Sequence, residues 1–446
     1  MEKFVIQGGV PLKGEVALAG AKNSGFKLMI ASLLSGEKSR IEGFSKIGDV
    51  YSTAKIIEEL GGKVSFQKNH ILEVEGRGLK KFEFSEKTGR LSRASTYFVG
   101  PLLYYFGKAI IPIPGGCKIG QRPLDRHLTG FKALGAKIKD CGDYYRITAN
   151  KFKGATFHFP KITHGGTDAM LISSVLAEGE TILENVALEP EVDDLIGFLN
   201  SMGAKIKRLG GRKIIIKGVK KLKGTSYRVM PDRNEAVTFA CSALITQGDI
   251  LVKKANPKVL TAFLDKVKKI NGGFEIKKEG IRFFWKGQLH PSRVVTKPYP
   301  SFMTDWQPLW TTLMTQAKGK SIIIEAVHSW RFAFVRDLIA MGAKIQLFSP
   351  KVPNPERFYN FNLEDDRPEY FHAARIFGPT SLKGAQFTIS DIRAGATLIM
   401  AALVAKGKPN FEELNILTGD MRILMGDYET WERRLKEDEK RFFNHS

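Results

Sequence analysis

The sequence predicts an α/β protein of two domains, each containing three copies of one repeated unit. Three observations predict this class. The chain has 446 residues, which is enough for two to four domains of ordinary size. An apolar helix end followed by glycine recurs six times at nearly constant spacing. A second glycine motif follows most of these positions after about 25 residues.

The first motif consists of an apolar helix end, a glycine, a polar residue and then a strand. Its glycines are separated by intervals of 69 to 72 residues and by one final interval of 88 residues. A glycine just after a helix suits the left-handed C-cap conformation, where a Cβ atom would clash. The six positions are Gly36, Gly107, Gly179, Gly248, Gly319 and Gly407.

The second motif lies between an amphipathic segment and a short alternating strand. It is typified by Leu134-Gly135-Ala136-Lys137-Ile138. Each unit therefore reads as helix, glycine cap, strand, helix, glycine cap and strand, which we summarise as a βαβαββ-like unit. The glycines of this motif are Gly61, Gly135, Gly203, Gly272 and Gly342.

The last two units depart from the common length. Residues 349–380 are rich in proline, asparagine, aromatic and charged residues, so we expect an inserted surface loop there. The sixth unit is predicted to end in a charged helix from Tyr428 to Lys440. The Pro231-Asp232 turn separates the first three units from the last three, and ligands favour the cleft between two such domains.

The composition limits the partners. Lys and Arg number 69 against 46 Asp and Glu, which gives a net charge of +23. Nucleic acid, an anionic membrane surface and phosphorylated small molecules are all compatible with this excess, and so is a general lysine bias of the proteome. The basic residues are spread along the whole chain and no RNA-binding motif is visible, so we expect no nucleic-acid partner.

The cysteines and the hydropathy point to a cytoplasmic soluble protein. Three cysteines without a C-x-x-C spacing fit a reducing compartment rather than a disulfide framework or a zinc ribbon. No apolar run reaches the roughly 18 residues that a membrane span requires, and the first residues lack a secretory pattern. Cys141 and Cys241 are predicted to lie in the core.

The segment 114–127, Pro-Gly-Gly-Cys-Lys-Ile-Gly-Gln-Arg-Pro-Leu-Asp-Arg-His, is the strongest candidate for chemistry. Three glycines around Cys117 predict a mobile or tightly turned loop. The basic residues Lys118, Arg122 and Arg126 lower the pKa of a thiol, which makes it usable as an acid or a nucleophile.

Several polar segments that open helices form a second group of candidates. Lys22, Arg93 and the segment 161–167 stand at predicted helix starts, where backbone amides favour anions. Asp305 stands at another such start and is compatible with an N-cap or with a general base. Further charged candidates are Arg331, Asp391 and Arg393.

Other catalytic signatures are missing from the sequence. It contains no P-loop, no G-x-G-x-x-G after a strand, no Ser/His/Asp elbow and no cluster with metal-ligand spacing. We therefore expect chemistry on a phosphorylated or carboxylated anion, with no metal and no cofactor.

These motifs resemble those of the enolpyruvyl transferases that act on UDP-N-acetylglucosamine. The similarity extends over essentially the whole chain, and the loop around Cys117 is its most specific part. The sister family that acts on shikimate 3-phosphate shares the six-unit fold but not this loop. The matching segments include 20–23, 93–95, 114–127, 176–179, 189–191, 231–233, 304–305, 331–332 and 391–393.

The resemblance implies a fold, a domain division and a reaction. The fold is an inside-out α/β barrel of two domains, with residues 1–21 joined to 232–446 and with 22–231 forming the other domain. The reaction transfers enolpyruvyl from phosphoenolpyruvate to the sugar 3-hydroxyl, releases phosphate and begins peptidoglycan precursor synthesis. These two small molecules are the expected partners, and covalent inactivation by the epoxide fosfomycin is expected too.

The resemblance also implies roles for single residues. Cys117 matches the acid that protonates the methylene of phosphoenolpyruvate, and Asp305 matches the base for the sugar hydroxyl. The catalytic set further includes Lys22 and Asp391. The implied substrate-binding residues are Asn23 for the sugar, Arg93, Arg122 and Arg393 for anions, Lys161, Thr163 and Gly165 for the uridine-diphosphate side, and Arg233, Val327 and Arg331.

The chain departs from the family pattern in the last unit. An Arg that contacts phosphoenolpyruvate in the family corresponds here to Gly419 or Gly426, with Arg422 nearby. Leu188 replaces another usual Arg, and residues 328–330 read His-Ser-Trp rather than Phe-Glu-Asn. These departures leave two alternatives open: a catalytically weak paralogue that binds the UDP-sugar, or an enolpyruvyl transferase with a different acceptor.

Overall fold

A computed structural model describes most of the chain. The described residues are 3–6, 8–90, 92–113, 124–384, 386–388, 392–406 and 410–412. The charged helix predicted for Tyr428–Lys440 lies outside these residues.

The described strands are, in chain order, β1 (Lys3–Val5), β2 (Lys13–Ala17), β3 (Lys38–Glu42), β4 (Lys63–Gln67), β5 (Ile71–Glu75), β6 (Lys108–Pro112), β7 (Lys137–Asp140), β8 (Tyr144–Thr148), β9 (Thr156–His158), β10 (Glu180–Glu184), β11 (Lys205–Arg208), β12 (Lys213–Lys217), β13 (Ser226–Arg228), β14 (Asp249–Lys253), β15 (Gly272–Lys277), β16 (Gly280–Trp285), β17 (Arg293–Val295), β18 (Gly319–Ile324), β19 (Lys344–Phe348), β20 (Ala373–Gly378), β21 (Gln386–Thr388) and β22 (Asn410–Glu412).

The described α-helices are α1 (Lys22–Ser32), α2 (Gly48–Glu59), α3 (Glu86–Gly89), α4 (Val99–Phe106), α5 (Asp125–Ala133), α6 (His164–Ser174), α7 (Pro190–Ser201), α8 (Arg233–Ile245), α9 (Thr261–Lys269), α10 (Gln307–Met314), α11 (Val335–Ala340), α12 (Pro355–Phe358) and α13 (Ile392–Ala402). Short 3₁₀ helices cover Arg93–Phe98, Pro257–Val259, Thr304–Trp306 and Leu363–Asp365.

The described strands form six small sheets, and the four sheets with four strands share one pattern of pairing. In the sheet β11-β12-β10-β9, β9 and β10 are parallel, and β12 pairs antiparallel with both β10 and β11. Helix α6 connects the parallel strands, and α7 leads to the hairpin. A parallel pair needs such a crossover, whereas the antiparallel pair closes with a short turn. The predicted βαβαββ-like unit is therefore confirmed.

The sheets lie outside the helices. Helices α8 and α10 are buried along almost their whole length, and the buried residues of α1 and α6 are nearly continuous. Beyond their first turns their sequences are mostly apolar or small on every side, as expected of helices surrounded by protein. The strands instead alternate, as in β14, where buried residues alternate with half-buried ones. The helices therefore form the inner layer and the sheets the outer layer.

Two large hydrophobic cores divide the described residues, and a third, small cluster contains Ala326, Tyr359 and Phe361. The first contains buried residues between Ala21 and Val229, and the second contains Ile6, Leu18 and residues between Ala236 and Ala405. We call the parts around them the first half and the second half. The domain boundaries predicted after residues 21 and 231 stay predictions.

The chain crosses between the halves twice, and the two crossings lie side by side. Strand β2 pairs with β14 in the second half, and β13 pairs with β3 in the first half. Between them, Ala21 N donates to Met230 O at 2.7 Å, and Asp232 N donates to Ala19 O at 2.9 Å. We call residues 19–22 together with 230–235 the crossing seam. It brings the starts of α1 and α8 next to each other.

The predicted glycine caps are confirmed at most positions that the structure describes. In the second motif, four of the five glycines have φ between +94° and +103°. The exception is the fourth unit, where Asn271 takes φ +66° and Gly272 begins β15. In the first motif Gly107, Gly179 and Gly319 have positive φ, whereas Gly36 and Gly248 do not. In the unit of Gly248, the preceding residue Gln247 takes the positive φ instead. Gly407 lies outside the described residues.

The prediction of a surface loop over residues 349–380 is wrong at its C-terminal end. Residues 373–378 form β20, the strand between β18 and β19 in its sheet, and Ala373, Ala374 and Ile376 are buried. The extra length lies between β19 and β20, in the position where the other units have a short hairpin turn. We call residues 349–372 the insertion.

Candidate functional site

The predicted helix starts are confirmed, and several of them meet at the crossing seam. Lys22 opens α1, and its backbone N donates to the Asp232 carboxylate at 2.8 Å. The Lys22 ammonium lies 3.0 Å from Asp49, whose other oxygen accepts from the Ser92 hydroxyl at 2.9 Å. Ser92 caps the 3₁₀ helix that begins at Arg93. Lys22, Asn23 and Arg93 are therefore held near one another, and all three are half-buried.

Arg233 opens α8 on the other side of the seam. Its guanidinium donates two hydrogen bonds to Glu191 of the first half, at 2.9 and 2.8 Å, and both side chains are buried. Burial disfavours the cation, but Glu191 outweighs this effect and raises the pKa of Arg233. The guanidinium also lies 4.6 Å from the centre of the Tyr299 ring. Arg233 is thus a fixed positive charge that connects the two halves.

Asp305 lies in a 3₁₀ turn rather than at an N-cap. Met303 occupies the cap position, and Asp305 Oδ1 accepts from the Arg331 guanidinium at 3.0 Å. Arg331 also donates to the backbone oxygen of Thr304 at 3.2 and 3.3 Å. The Arg331 side chain is 1% exposed and that of Asp305 is 14% exposed. A buried Arg therefore orients a carboxylate that still reaches solvent.

Glu325 at the end of β18 is a positioning residue that the sequence reasoning missed. It is buried, it accepts from the backbone N of Val327 at 2.8 Å and of His328 at 3.0 Å, and it accepts from the Thr304 hydroxyl at 3.0 Å. Burial raises its pKa, and Arg331 opposes this rise. The signal that could have revealed Glu325 in the sequence was a single acidic residue directly after an apolar strand. It fixes the candidate residue Val327 next to the turn that carries Asp305.

The residues predicted for the uridine-diphosphate side surround the start of α6. The Thr163 hydroxyl caps the helix by accepting from Gly166 N at 3.1 Å. Gly165 lies under Tyr97 and His127, and a Cβ atom there would lie 3.0 Å from the tyrosine oxygen and 3.1 Å from the imidazole nitrogen. Thr163 and Gly165 are themselves half-buried, so the first turn of α6 is accessible.

Lys161 contacts the insertion. Its ammonium donates to the backbone oxygens of Phe361 at 2.7 Å and Tyr359 at 3.2 Å, and it lies 3.6 Å from the Glu356 carboxylate. The Arg126 guanidinium donates a hydrogen bond to Asn360 O at 2.7 Å. The Asn360 amide in turn donates to Ile162 O at 2.8 Å. We call this set of bonds the insertion contact.

The segment of residues 328–330, which departs from the family pattern, also contacts the insertion. Trp330, in the segment His-Ser-Trp, stacks on Tyr370 with ring centres 5.5 Å apart and an angle of 17° between the planes. The loop that follows Val327 and the insertion are therefore packed together.

A buried ionic cluster beside α6 was also missed. Lys27 of α1 donates to the Asp168 carboxylate and to His164 Nε2, the latter at 3.0 Å. Lys27 and Asp168 are almost completely buried. Burial raises the pKa of Asp168 to about 7, although Lys27 opposes this rise. Burial also disfavours the Lys27 ammonium, but the charge of Asp168 outweighs burial and raises the pKa of Lys27. A lone charge within an apolar helix, such as Lys27 after Phe26, was the signal.

Several predicted residues cannot be placed. Cys117, Arg122 and Asp391 lie outside the described residues, as do Arg422 and both glycines proposed for the missing Arg. Arg393 belongs to α13, but its side chain is outside the description. Cys241 is buried in α8 as expected, whereas Cys141 is only half-buried in the turn after β7, which corrects its prediction as a core residue.

Comparison with known proteins identifies the family. A sequence profile of EPSP synthase (3-phosphoshikimate 1-carboxyvinyltransferase) matches residues 6–435. The chain belongs to this family of enolpyruvyl transferases. A UDP-N-acetylglucosamine 1-carboxyvinyltransferase of Halothermothrix orenii is 39% identical over 93% of this chain and 94% of its own. UDP-N-acetylglucosamine 1-carboxyvinyltransferase 3 of Caldanaerobacter subterraneus is 39% identical over 91% of this chain and 92% of its own. The resemblance inferred from the motifs is confirmed.

Solved structures of enolpyruvyl transferases share the fold. The enolpyruvyl transferase NikO of Streptomyces tendae superposes with a TM-score of 0.78 at 20% identity, covering 97% of this chain and 96% of its own. EPSP synthase of Acinetobacter baumannii superposes with a TM-score of 0.65 at 19% identity, covering 92% and 94%. The predicted enolpyruvyl transferase fold is confirmed.

The described residues contain neither a candidate metal site nor a candidate membrane span. No group of three or more His, Cys, Asp or Glu there is arranged to hold a metal ion. No helix in this part of the chain is long and apolar enough to span a membrane.

Proposed function

We propose that this enolpyruvyl transferase moves the enolpyruvyl group of phosphoenolpyruvate to the 3-hydroxyl of UDP-N-acetylglucosamine and releases phosphate, the first committed step of peptidoglycan precursor synthesis. The observation that carries this proposal is the near-full-length similarity, at 37 to 39% identity, to curated relatives that bear the name UDP-N-acetylglucosamine 1-carboxyvinyltransferase. The acceptor is therefore argued from the relatives, and the residue roles are argued from the geometry.

Asp305 is proposed as the base for the sugar hydroxyl. Its carboxylate reaches solvent while Arg331 holds it at 3.0 Å, so it is oriented before the acceptor binds. The hydroxyl oxygen attacks C2 of phosphoenolpyruvate, and the carboxylate takes the hydroxyl proton. Cys117 is proposed to protonate the methylene carbon, which gives a tetrahedral intermediate. Loss of phosphate and of one methyl proton then restores the double bond.

The anions are proposed to lie over the helix start at Lys22 in the crossing seam and over the neighbouring helix start at Arg93. Lys22 and Arg93 supply positive charge beside the first turns of two helices, where backbone N–H groups also point. Arg122 and Arg393 are proposed to complete this group, with Arg393 near the carboxylate. Fixed cations stabilise the charge that develops on phosphate and carboxylate during the reaction. Asn23, Arg233 and Val327 are proposed to contact the sugar nucleotide.

Lys161, Thr163 and Gly165 are proposed for the uridine-diphosphate side of the acceptor. The half-buried first turn of α6 supports this assignment for Thr163 and Gly165. The ammonium of Lys161 already donates to two backbone oxygens of the insertion, so its contribution to the acceptor is expected to be smaller. We also propose a cytoplasmic location, in line with the free thiols of Cys141 and Cys241.

The test is phosphate release from phosphoenolpyruvate with and without UDP-N-acetylglucosamine. We expect release that depends on this acceptor, with no release when shikimate 3-phosphate replaces it. Asp305→Asn removes the base but keeps the size of the side chain, so we expect a loss of at least about 100-fold in kcat. Fosfomycin is expected to label the chain covalently, and Cys117→Ser is expected to prevent the labelling.

The other outcomes separate the two alternatives left by the sequence. Binding of UDP-N-acetylglucosamine in calorimetry without phosphate release would identify a binding paralogue. Release with shikimate 3-phosphate but not with the UDP-sugar would identify a different acceptor. An unchanged rate in Asp305→Asn would remove that residue from the mechanism.

A further inference from the structure

His164 is the first residue of α6, and its ring orientation follows from its neighbour. Lys27 Nζ lies 3.0 Å from His164 Nε2. An ammonium group can only donate hydrogen bonds, so Nε2 accepts. In the neutral ring the proton must then be on Nδ1. The contact with Lys27 therefore fixes the tautomer, as an orienting partner commonly does for histidine.

The surrounding charges keep this ring neutral. Burial, then the positive charges of Lys27 and Arg233, hold the pKa of His164 well below its usual value, and Asp305 acts in the opposite direction. Asp168 lies 3.3 Å from Nε2 but is shared with Lys27. Near neutral pH, His164 is thus a neutral donor with a defined direction rather than a cation.

The Nδ1–H group has no hydrogen-bond partner among the residues that the structure describes. All contacts given for the ring involve Nε2, and the side chain is 23% exposed. A donor that is oriented on one side and open on the other is suited to receive a ligand. The two residues that flank it in this turn are Thr163 and Gly165.

The position of the ring relates it to the acceptor rather than to phosphoenolpyruvate. Asp305, the proposed base for the acceptor hydroxyl, lies close enough for its charge to act on the ring, as does Arg233. These groups come from both halves: His164 from the first, Arg233 and Asp305 from the second. His164 itself lies in the first turn of α6, between Thr163 and Gly165, the residues proposed for the uridine-diphosphate side.

We propose that His164 is a further acceptor-binding residue, whose Nδ1–H donates a hydrogen bond to an oxygen of the bound sugar nucleotide. Lys27 and Asp168 are positioning residues that hold the ring in this tautomer. The proposal rests on the proposed function, since it takes the acceptor from there.

Two substitutions separate the two nitrogens of the ring. His164→Asn keeps a donor near the position of Nδ1 but loses the acceptor for Lys27. His164→Gln keeps an acceptor near the position of Nε2 but loses the Nδ1 donor. We expect the glutamine variant to raise the KM for UDP-N-acetylglucosamine by about tenfold or more, the usual effect of losing one hydrogen bond to a charged or strongly polar group. The asparagine variant is expected to stay within about threefold.

The control readouts exclude a structural effect. The KM for phosphoenolpyruvate is expected to change little in either variant. His158→Gln, on an exposed histidine of β9, serves as the matched control and is expected to leave both KM values unchanged. In ¹⁵N-histidine-labelled protein, the His164 ring is expected to show the Nδ1–H tautomer and to shift when the UDP-sugar is added, but not when phosphoenolpyruvate is added alone.

The outcomes distinguish this proposal from the proposed function. If the unmodified chain binds the UDP-sugar without turnover, the same two variants are compared by calorimetric Kd, and the expected ratio is unchanged. Equal effects of the two variants, or a ring signal that does not respond to the UDP-sugar, would overturn the role of His164 while leaving the transferase intact. An unmodified chain that neither binds nor converts the UDP-sugar would overturn both.

Discussion

The two halves of the molecule meet at the crossing seam and at the insertion contact, and these contacts are built differently. At the seam the backbone itself passes between the halves, and the buried Arg233–Glu191 pair adds two hydrogen bonds at 2.8 and 2.9 Å. At the insertion contact the cations Lys161 and Arg126 donate mainly to backbone oxygens of the insertion, those of Tyr359, Asn360 and Phe361. The seam follows from the topology of the fold, whereas the insertion contact is an addition to it.

This difference shows which binding residues a repeated sequence pattern can predict. The seam brings together the starts of α1 and α8, the first helices of the two halves, so Lys22 and Arg233 stand at equivalent places in the repeat. The insertion belongs to the fifth unit alone, and its contact with the first half uses Lys161 for an internal bond. A residue at a family position can therefore have a second partner that the pattern does not reveal.

The largest effect is expected from breaking the seam pair. Glu191→Ala leaves the Arg233 cation buried without its partner, which costs about 3 to 5 kcal/mol of stability in comparable cases. Urea unfolding measures the loss. The double variant Glu191→Leu with Arg233→Met removes both charges and is expected to recover most of the stability. A loss of under about 1 kcal/mol in the single variant would show that the pair contributes little to joining the halves.

A smaller effect is expected from the insertion contact. Lys161→Met removes two hydrogen bonds at a half-buried position, and we expect a loss of about 1 kcal/mol. Hydrogen exchange is the sharper measurement, because protection is expected to fall in residues 356–363 while it stays unchanged at the crossing seam. Equal loss of protection at both places would mean that the two contacts form one cooperative unit.

A pH titration isolates the buried Lys27–Asp168 pair of the first half, which belongs to neither contact. Asp168 has a pKa of about 7 in the folded protein, above its usual value, because it is buried. The native state therefore keeps a proton that the unfolded chain has lost, and stability is expected to fall as pH rises from about 4 to about 7. Asp168→Asn is expected to flatten this dependence in urea unfolding. An equally steep slope in the variant would assign it to another group.

The smallest effect is expected for the ion pair at the edge of the insertion contact. Glu356 lies 3.6 Å from Lys161 but is 70% exposed. Exposed pairs contribute little, so Glu356→Gln is expected to change stability by less than about 0.5 kcal/mol. Comparison with Lys161→Met tests whether the backbone bonds, rather than the charge pair, hold the insertion. A loss as large as that of Lys161→Met would reverse this ranking.

The sequence predicted the repeats and the helix starts because both depend on local rules. Glycine caps and alternating strands are short-range signals, and they located α1, α6 and α8 correctly. The sequence did not reveal the bond partners of the site. Glu191 and Arg233 are 42 residues apart in the chain, Lys27 and Asp168 are 141 apart, and Lys161 and Phe361 are 200 apart. No local pattern encodes such pairs.

The error at residues 349–380 has the same origin. The segment is rich in loop-forming residues, and its average composition hides β20, which contains only Ala373–Gly378. Strand pairing with β18 and β19 selects these residues, and that pairing depends on partners outside the segment.

The pairing of β2 with β14 and of β13 with β3 bears on the order of folding during synthesis. The first half contains a continuous stretch of chain that includes its own completing strand, β13, so it can fold as soon as residue 228 has left the ribosome. Strand β2 emerges before all of this but pairs with β14, and the neighbouring Leu12 bonds to Thr246, 234 positions later. Strand β2 therefore stays without its partner strand until the second half is made.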